Sequence, residues 1–165
     1  GGHGLLIYHA IENKKKGMSV KENMQALEEL KHRIVHKFTV DDLTYLQRGG
    51  RISKTAAVIG GMIQLKPVLH VDTEGRLAAE SKVRGRKKAL NQLLAEMDIC
   101  TGGYADKQDV VLICHADCPE DAEYVRAKVE EKYHPNKIIM SEVGPIVGAH
   151  VGPGTMVLIF EGDKR

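Results

Sequence analysis

The most informative stretch of this chain is residues 41–53, which read Asp41-Asp42-Leu43-Thr44-Tyr45-Leu46-Gln47-Arg48-Gly49-Gly50-Arg51-Ile52-Ser53. The acidic pair stands where a helix over Leu43–Gln47 would begin, and carboxylates are favourable at a helix N-terminus. The adjacent glycines then permit a tight or left-handed turn, and the flanking arginines carry forked donors that suit carboxylates or phosphates. Two interpretations stay open, an anion-binding turn or a helix end with solvated charges.

Outward from this stretch, the spacing of apolar residues predicts several helices. One closes at Gly17, and a second opens at the capping box Ser19-Val20-Lys21-Glu22. Small residues predict a helix from Ser53 to Met62. Two more helices are predicted over residues 86–99 and 119–133.

Short apolar runs predict six strands, and the turn Thr73-Glu74-Gly75 joins two of them into a hairpin. The strands are predicted over residues 36–40, 67–72, 76–83, 110–114, 138–140 and 156–160. This order predicts an α+β fold, a six-stranded mostly antiparallel sheet with flanking helices.

Bulk properties predict a globular chain, with 42% apolar and 28% charged residues. The longest apolar runs, such as Val110–Cys114, are far shorter than the roughly 20 residues that cross a bilayer. No signal peptide is visible, and three cysteines do not form a disulfide framework. We therefore expect a cytoplasmic protein.

Two polar segments of the sequence could form sites. Cys114-His115-x-x-Cys118 resembles a metal cluster, but neighbouring strand residues point to opposite faces and a fourth ligand is not evident, so no metal is predicted. His150 is predicted to lie in a Gly/Pro-rich loop, where its imidazole could donate a hydrogen bond to a carboxylate. A lone loop histidine is also commonly a surface residue.

Residues 41–53 resemble the signature of the DegV family, whose core is an acidic pair, a Leu-x-Tyr-Leu helix and Arg-Gly-Gly-Arg-Ile-Ser. Further blocks resemble the family in the same order along the chain. They are Ile63-Gln64-Leu65-Lys66-Pro67-Val68-Leu69, Gly75-Arg76-Leu77, Lys82-Val83-Arg84-Gly85-Arg86-Lys87-Lys88-Ala89-Leu90 and Gly148-Ala149-His150-Val151-Gly152-Pro153-Gly154-Thr155.

The resemblance implies a two-domain α/β parent with a fold like that of dihydroxyacetone kinase. It implies that residues 1–35 are the remaining helices of a truncated N-terminal domain and that residues 36–165 are the C-terminal DegV-type domain. We expect an upstream segment, since the chain begins without Met.

In function, the resemblance implies a non-catalytic carrier that binds a long-chain fatty acid, without a cofactor, and presents its carboxylate to an ATP-using fatty acid kinase subunit. His150 would belong to the carboxylate network, beside Gly148. Ile52, Ile59 and Ile63 would line the pocket, although core packing explains them equally well.

Four arginines are predicted to dock the kinase subunit, because a guanidinium cannot line an apolar tunnel without a paired anion. They are Arg48, Arg51, Arg84 and Arg86. The alternative function is a small-molecule kinase or phosphotransferase related to dihydroxyacetone kinase, which the missing phosphate-cradling loops disfavour. A nucleic-acid-binding regulator is disfavoured by a net charge of +2 and 4% aromatic residues.

Overall fold

A computed structural model describes residues 1–52 and 65–163, apart from the side chains of Tyr104 and Lys107. The helix predicted over residues 53–62 lies outside this part. The described helices are α1 (Gly2–Lys15), α2 (Val20–Leu30), α3 (Leu43–Arg48), α4 (Arg86–Thr101), α5 (Pro119–Tyr133) and α6 (Pro145–Val151), with a 3₁₀ helix at Gly102–Lys107. The strands are β1 (Ile34–Thr39), β2 (Leu65–Val71), β3 (Leu77–Arg84), β4 (Val110–Ala116), β5 (Lys137–Glu142) and β6 (Thr155–Glu161).

Local chemistry accounts for the helix ends that the sequence predicts. The Glu22 amide donates to the Ser19 hydroxyl at 3.3 Å, and the Ser19 amide donates to the Glu22 carboxylate at 2.8 Å, which confirms the capping box of α2. The Thr44 amide donates to the Asp42 carboxylate at 2.8 Å and thereby starts α3. These short-range signals fix where the chain enters α2 and α3.

The described strands form one sheet in the order β3-β2-β1-β6-β4-β5. Only the β4–β5 pair is parallel among the described pairs, and the other four pairs are antiparallel. The predicted α+β class with a mostly antiparallel six-stranded sheet is therefore confirmed.

One face of the sheet is covered by α4 and α5, and we call it the helix face. Side chains from both helices interlock there with alternate strand residues. The buried cluster includes Val35, Leu93, Met97, Ile113, Val125, Leu158 and Phe160. This face holds the main hydrophobic core of the described chain.

The opposite face is bordered by other elements, and we call it the open face. Helix α1 packs Leu5, only 1% exposed, against one end of it, in a cluster with Ile34, Leu112 and Ile159. Helices α3 and α6 lie along the edge where β1 ends and β6 begins. Residues 1–35 thus pack on the same sheet as the rest of the chain, and a domain division at residue 35 stays a prediction.

His150 lies in a helix, so the predicted loop is wrong for residues 145–151. Pro145 occupies the first turn of α6, where its missing N–H removes no hydrogen bond. The helix ends at Gly152, whose φ is +76°, and the Gly152 amide donates to the Gly148 carbonyl at 2.8 Å. Gly148 and Gly152 are typical of a loop, which is why the sequence predicts one there. The seven-residue helix contains the first of them and ends at the second.

Candidate functional site

A cavity of about 1470 Å³ lies over the open face of the sheet. Its floor is made by alternate residues of all six described strands, because side chains at every second position share a face. The central floor residues are Phe38, Leu69, Leu112, Val157 and Ile159. Six strands at a spacing of about 4.8 Å give a floor roughly 24 Å wide. The result is a long apolar trough.

Helices form the walls of this trough. Helix α3 contributes Leu43 and Leu46, and helix α6 contributes Ile146, Val147 and His150. Ile146 is 81% exposed at the lip, so this wall is apolar on the outside as well. The first turn of α1 closes part of the remaining border through three glycines and Leu5.

The polar groups of the described lining are unequal in charge. Arg51, Arg76 and Lys82 are its lysines and arginines, whereas Glu142 is its acidic residue. Arg76 also pairs with acids of its own turn, at 3.1 Å from Glu74. A cavity with this excess of positive charge favours an anionic group at its rim.

Residues 41–49, which include α3, pack closely against α6 and the residues that follow it at three glycines. A Cβ at Gly49 would collide with the imidazole of His150, so the side chain of His150 rests directly on the α3 C-terminus. A Cβ at Gly152 would come within 2.5 Å of the Tyr45 ring, and one at Gly154 within 2.6 Å of the Asp41 carboxylate. Gly152 and Gly154 have φ of +76° and +73°, which glycine tolerates. The Asp-Asp…Gly-Gly segment and the Gly-x-His-x-Gly-Pro-Gly segment thus form one unit that fixes His150.

An ion-pair cluster ties this unit to the rest of the sheet edge. The Arg86 Nε donates to Asp121 at 2.7 Å, and its Nη1 lies 3.3 Å from the Asp41 carboxylate. Lys66 is 2.9 Å from the same carboxylate. Because Asp41 also packs on Gly154, these charges connect the segment before α3 with the segment that follows α6.

A family model described as an uncharacterised protein of the DegV family matches residues 1–163. The chain belongs to the DegV family.

The relatives of this DegV chain agree with that assignment. A DegV domain-containing protein of Clostridium perfringens is 41% identical over 164 residues, which are 99% of this chain and 56% of the relative. The chain therefore spans about half the length of the curated relatives it matches.

Solved DegV structures share the fold. DegV of Bacillus subtilis, described as a fatty acid binding protein, is 30% identical with a TM-score of 0.79, over 98% of this chain and 57% of that one. The fatty acid kinase B3 protein of Streptococcus pneumoniae, crystallised with linoleic acid, is 19% identical with a TM-score of 0.86, over 96% of this chain and 55% of that one. The latter likeness shows the fold alone.

Some of the site residues predicted from the sequence of the DegV chain meet at the cavity. His150, Arg51 and Ile52 line it. Gly148 lies within α6 and outside the described lining. Ile59 and Ile63 fall outside the described residues, so their pocket role stays a prediction.

The four arginines predicted to dock a partner differ in environment. Arg48, Arg51 and Arg84 are exposed, the first at the end of α3 and the last at the end of β3. Arg86 is half-buried and engaged by Asp41 and Asp121. Its contacts are those of a residue that braces the sheet edge.

Sequence reasoning missed the cavity floor. Phe38, Leu69 and Val157 alternate with core residues along strands whose pairing was unknown, so the face they share was not visible. The apolar runs of strands such as β4 and β6 indicate that both faces are covered by apolar residues. Only the strand order shows that the alternating residues form one surface.

Cys114 lies on the cavity floor, and burial raises the pKa of its thiol. His115, the next residue, accepts a hydrogen bond at Nδ1 from the Cys118 amide at 3.4 Å. Within residues 1–52 and 65–163, no group of three or more His, Cys, Asp or Glu side chains is arranged to hold a metal ion. In the same part of the chain, no helix is long and apolar enough to span a membrane.

Proposed function

We propose that this DegV chain holds one long-chain fatty acid in the trough over the open face and is part of a carrier that presents the acyl carboxylate to an ATP-using kinase subunit. The observation that carries the proposal is the trough itself, about 1470 Å³ in volume with an apolar floor across six strands. Binding sites of this kind bury an apolar ligand and orient it with a few polar groups. The fatty acid binding stated for the Bacillus subtilis relative supports this choice of ligand.

His150 is the residue proposed to hold the head group. It lines the cavity and its imidazole packs against Gly49, which limits the positions from which a ring N–H can donate to a carboxylate. Arg51 lies on the same lining and supplies positive charge for a carboxylate. The tail then extends over the apolar floor residues.

The proposed kinase docking surface uses the exposed arginines Arg48, Arg51 and Arg84. An acidic partner surface would be steered to them by long-range attraction. Arg86 is left out of this surface because its guanidinium already contacts two carboxylates of the chain. The chain is proposed to be non-catalytic, with ATP bound by the partner.

Native mass spectrometry of the full-length protein tests ligand binding directly. We expect one fatty acid per protein, released by organic extraction and identified by its mass. A co-purified nucleotide in place of a lipid would instead favour the phosphotransferase alternative. A protein that stays empty after incubation with palmitate or oleate would contradict the proposal.

Phosphoryl transfer is tested separately with the loaded protein. Addition of ATP and a fatty acid kinase subunit should give an acyl phosphate, whereas either addition alone should not. Acyl phosphate formed by the carrier with ATP alone would show that the carrier is itself an enzyme.

A further inference from the structure

Arg86, the first residue of α4, lies at the end of the sheet where β1 and β4 end and β6 begins. Its side chain is 23% exposed and lies outside the described cavity lining. Its Nε donates to the Asp121 carboxylate at 2.7 Å, and its Nη1 donates to the Asp41 carboxylate at 3.3 Å. The third nitrogen, Nη2, donates to the Cys118 thiol at 3.6 Å. One guanidinium therefore joins α4 to the segment before α3 and to the start of α5.

A first route leads from Arg86 to the end of α6 through Asp41. The Asp41 carboxylate packs on Gly154, where an added Cβ would come within 2.6 Å of a carboxylate oxygen. Gly154 lies three residues beyond the end of α6. Lys66 contacts the same carboxylate at 2.9 Å, so Asp41 is held by two cations against this segment.

A second route leads through a thiol. The Cys118 Sγ accepts from Arg86 and donates to the Thr155 carbonyl at 3.4 Å. The Thr155 hydroxyl lies 3.0 Å from the carbonyl of Val151, the last residue of α6. Carbonyls at a helix C-terminus have no partner within the helix, so this hydroxyl satisfies one of them. Both routes therefore reach the residues that directly follow His150.

This network differs from an ordinary surface ion pair. Isolated exposed pairs contribute little to stability, whereas charges that form a network with fixed geometry contribute more. All three nitrogens of one planar guanidinium are engaged, which a lysine ammonium cannot reproduce. His150 lies in the last turn of α6, so the position of its imidazole depends on how this end of the helix is held.

We propose that Arg86 is a positioning residue for the fatty acid head group, because it holds the end of α6 so that the His150 imidazole faces the carboxylate. This inference rests on the proposed function, since it concerns the same head-group site. Arg86 does not bind the ligand itself, because its guanidinium is engaged by the protein and lies outside the described lining.

The test compares Arg86→Gln and Arg86→Lys with the wild type in the full-length protein, by calorimetric titration with palmitate and without the kinase subunit. Arg86→Gln should raise Kd roughly three- to tenfold, as expected for coupling between residues of one network. Arg86→Lys should also raise Kd by at least about twofold, because it keeps the charge and loses the fork. Wild-type affinity in Arg86→Lys would mean that positive charge alone matters, and the inference would be wrong.

A double-mutant cycle with His150→Ala separates positioning from damage to the fold. If Arg86 acts through His150, Arg86→Gln should change Kd by less than about twofold once residue 150 is alanine. A loss of affinity that persists in this background would show a merely structural role and overturn the inference. Unchanged lipid affinity together with slower acyl phosphate formation would assign Arg86 to docking, which also overturns it.

Asp41→Asn provides a second variant if Arg86→Gln does not fold, because it weakens the first route alone. It should raise Kd about two- to threefold, and this effect should also disappear in the His150→Ala background. Arg126→Gln is the matched control, since Arg126 pairs with two carboxylates of its own helix, α5. An equal loss of affinity in Arg126→Gln would attribute the effect to any lost ion pair and contradict the inference.

NMR of the ligand-free protein distinguishes failure of this inference from failure of the proposed function. The imidazole signals of His150 should shift in Arg86→Gln without any lipid, whereas those of exposed His32 should not. If the wild type binds no fatty acid but the His150 signals respond, the proposed function fails and the positioning by Arg86 stands. If the wild type binds fatty acid and the His150 signals do not respond, only the inference fails.

Discussion

The helix face and the open face of the sheet are built from neighbouring residues of the same strands, but the first forms the hydrophobic core and the second forms the floor of the cavity. On β6, Leu158 is completely buried under α4 and α5, whereas the adjacent Val157 lies on the cavity floor. Both faces are apolar. The difference teaches that a continuous apolar run makes both faces of a strand apolar, and only the positions of the helices decide which face becomes core and which becomes a binding site.

The largest expected effect is on the helix face. Leu158→Ala should lower the free energy of unfolding by about 2–5 kcal/mol, because close packing leaves a void that neighbours do not fill. Val157→Ala, one residue away, should cost only about 1 kcal/mol and should instead weaken fatty acid retention. Urea unfolding of the ligand-free variants measures the difference. Equal losses at both positions would mean that the open face is packed as tightly as the helix face.

The next effect concerns the polar end of the open face. His150→Ala should weaken fatty acid binding by about 1.5–3 kcal/mol, since a hydrogen bond to a charged carboxylate is lost. This corresponds to roughly a tenfold to hundredfold increase in Kd, measured by isothermal titration calorimetry. Gly49→Ala should act in the same direction, because the added Cβ displaces the imidazole.

Exposed His32 provides the control for this change, since it lies outside the described lining. His32→Ala should leave affinity unchanged. Unchanged affinity and unchanged phosphorylation in His150→Ala would remove His150 from the site.

The reactivity of two native cysteines distinguishes the two faces without any substitution. Cys114 lies on the cavity floor and Cys100 in the helix-face core, and burial raises the pKa of both thiols. Because the thiolate is the reactive form, alkylation of Cys114 should be slow at neutral pH and become faster as the pH rises. A fatty acid concentration of ten times Kd should slow the alkylation of Cys114 by about a further tenfold.

Peptide mass mapping follows each cysteine in the same sample. Cys100 should stay unreactive with or without ligand, and the response of Cys118 provides an internal reference outside the described lining. If the fatty acid does not change the alkylation rate of Cys114, the fatty acid binds elsewhere.

The smallest expected effect is on docking. Arg84→Glu should slow acyl phosphate formation about threefold at low salt and less at high salt, because exposed charges act mainly through steering. Bound lipid should not change. Arg51→Glu should slow the reaction similarly and should also lower the amount of bound lipid, because Arg51 lines the cavity. A loss of lipid in that variant with normal docking would assign Arg51 to the head group alone.

Lys128 on α5 is an exposed residue for the matched charge reversal. Lys128→Glu should have no effect on the reaction rate, since α5 lies on the helix face. An equal effect there would indicate that net charge, rather than a local surface, controls the rate.

The elements of the fold were predictable where the signal is local. The capping box at Ser19 and the hairpin turn at residues 73–75 depend on neighbours a few residues away, and both are confirmed. Helix α5 was predicted with the bounds that the structure has. The helix at His150 was not, because α6 is held by packing against α3 rather than by its own propensity.

The site was predictable only in part for the same reason. His150, Arg51 and Ile52 could be named from a resemblance, but the trough depends on which strands are neighbours. That order brings β6, the last strand, between β1 and β4. No short-range pattern in the sequence contains this information.

The three glycine contacts between residues 41–49 and residues 150–154 constrain which substitutions this chain can accept. At Gly49, Gly152 and Gly154 a side chain from the other segment occupies the space where a Cβ would lie, although about a hundred residues separate the two segments in sequence. At Gly49 a larger residue requires a smaller one in place of His150, whereas Gly152 and Gly154 are also held to glycine by their positive φ. In a chimera that takes one segment from a distant relative and keeps the other, a steric clash at these glycine contacts is the first defect that we expect.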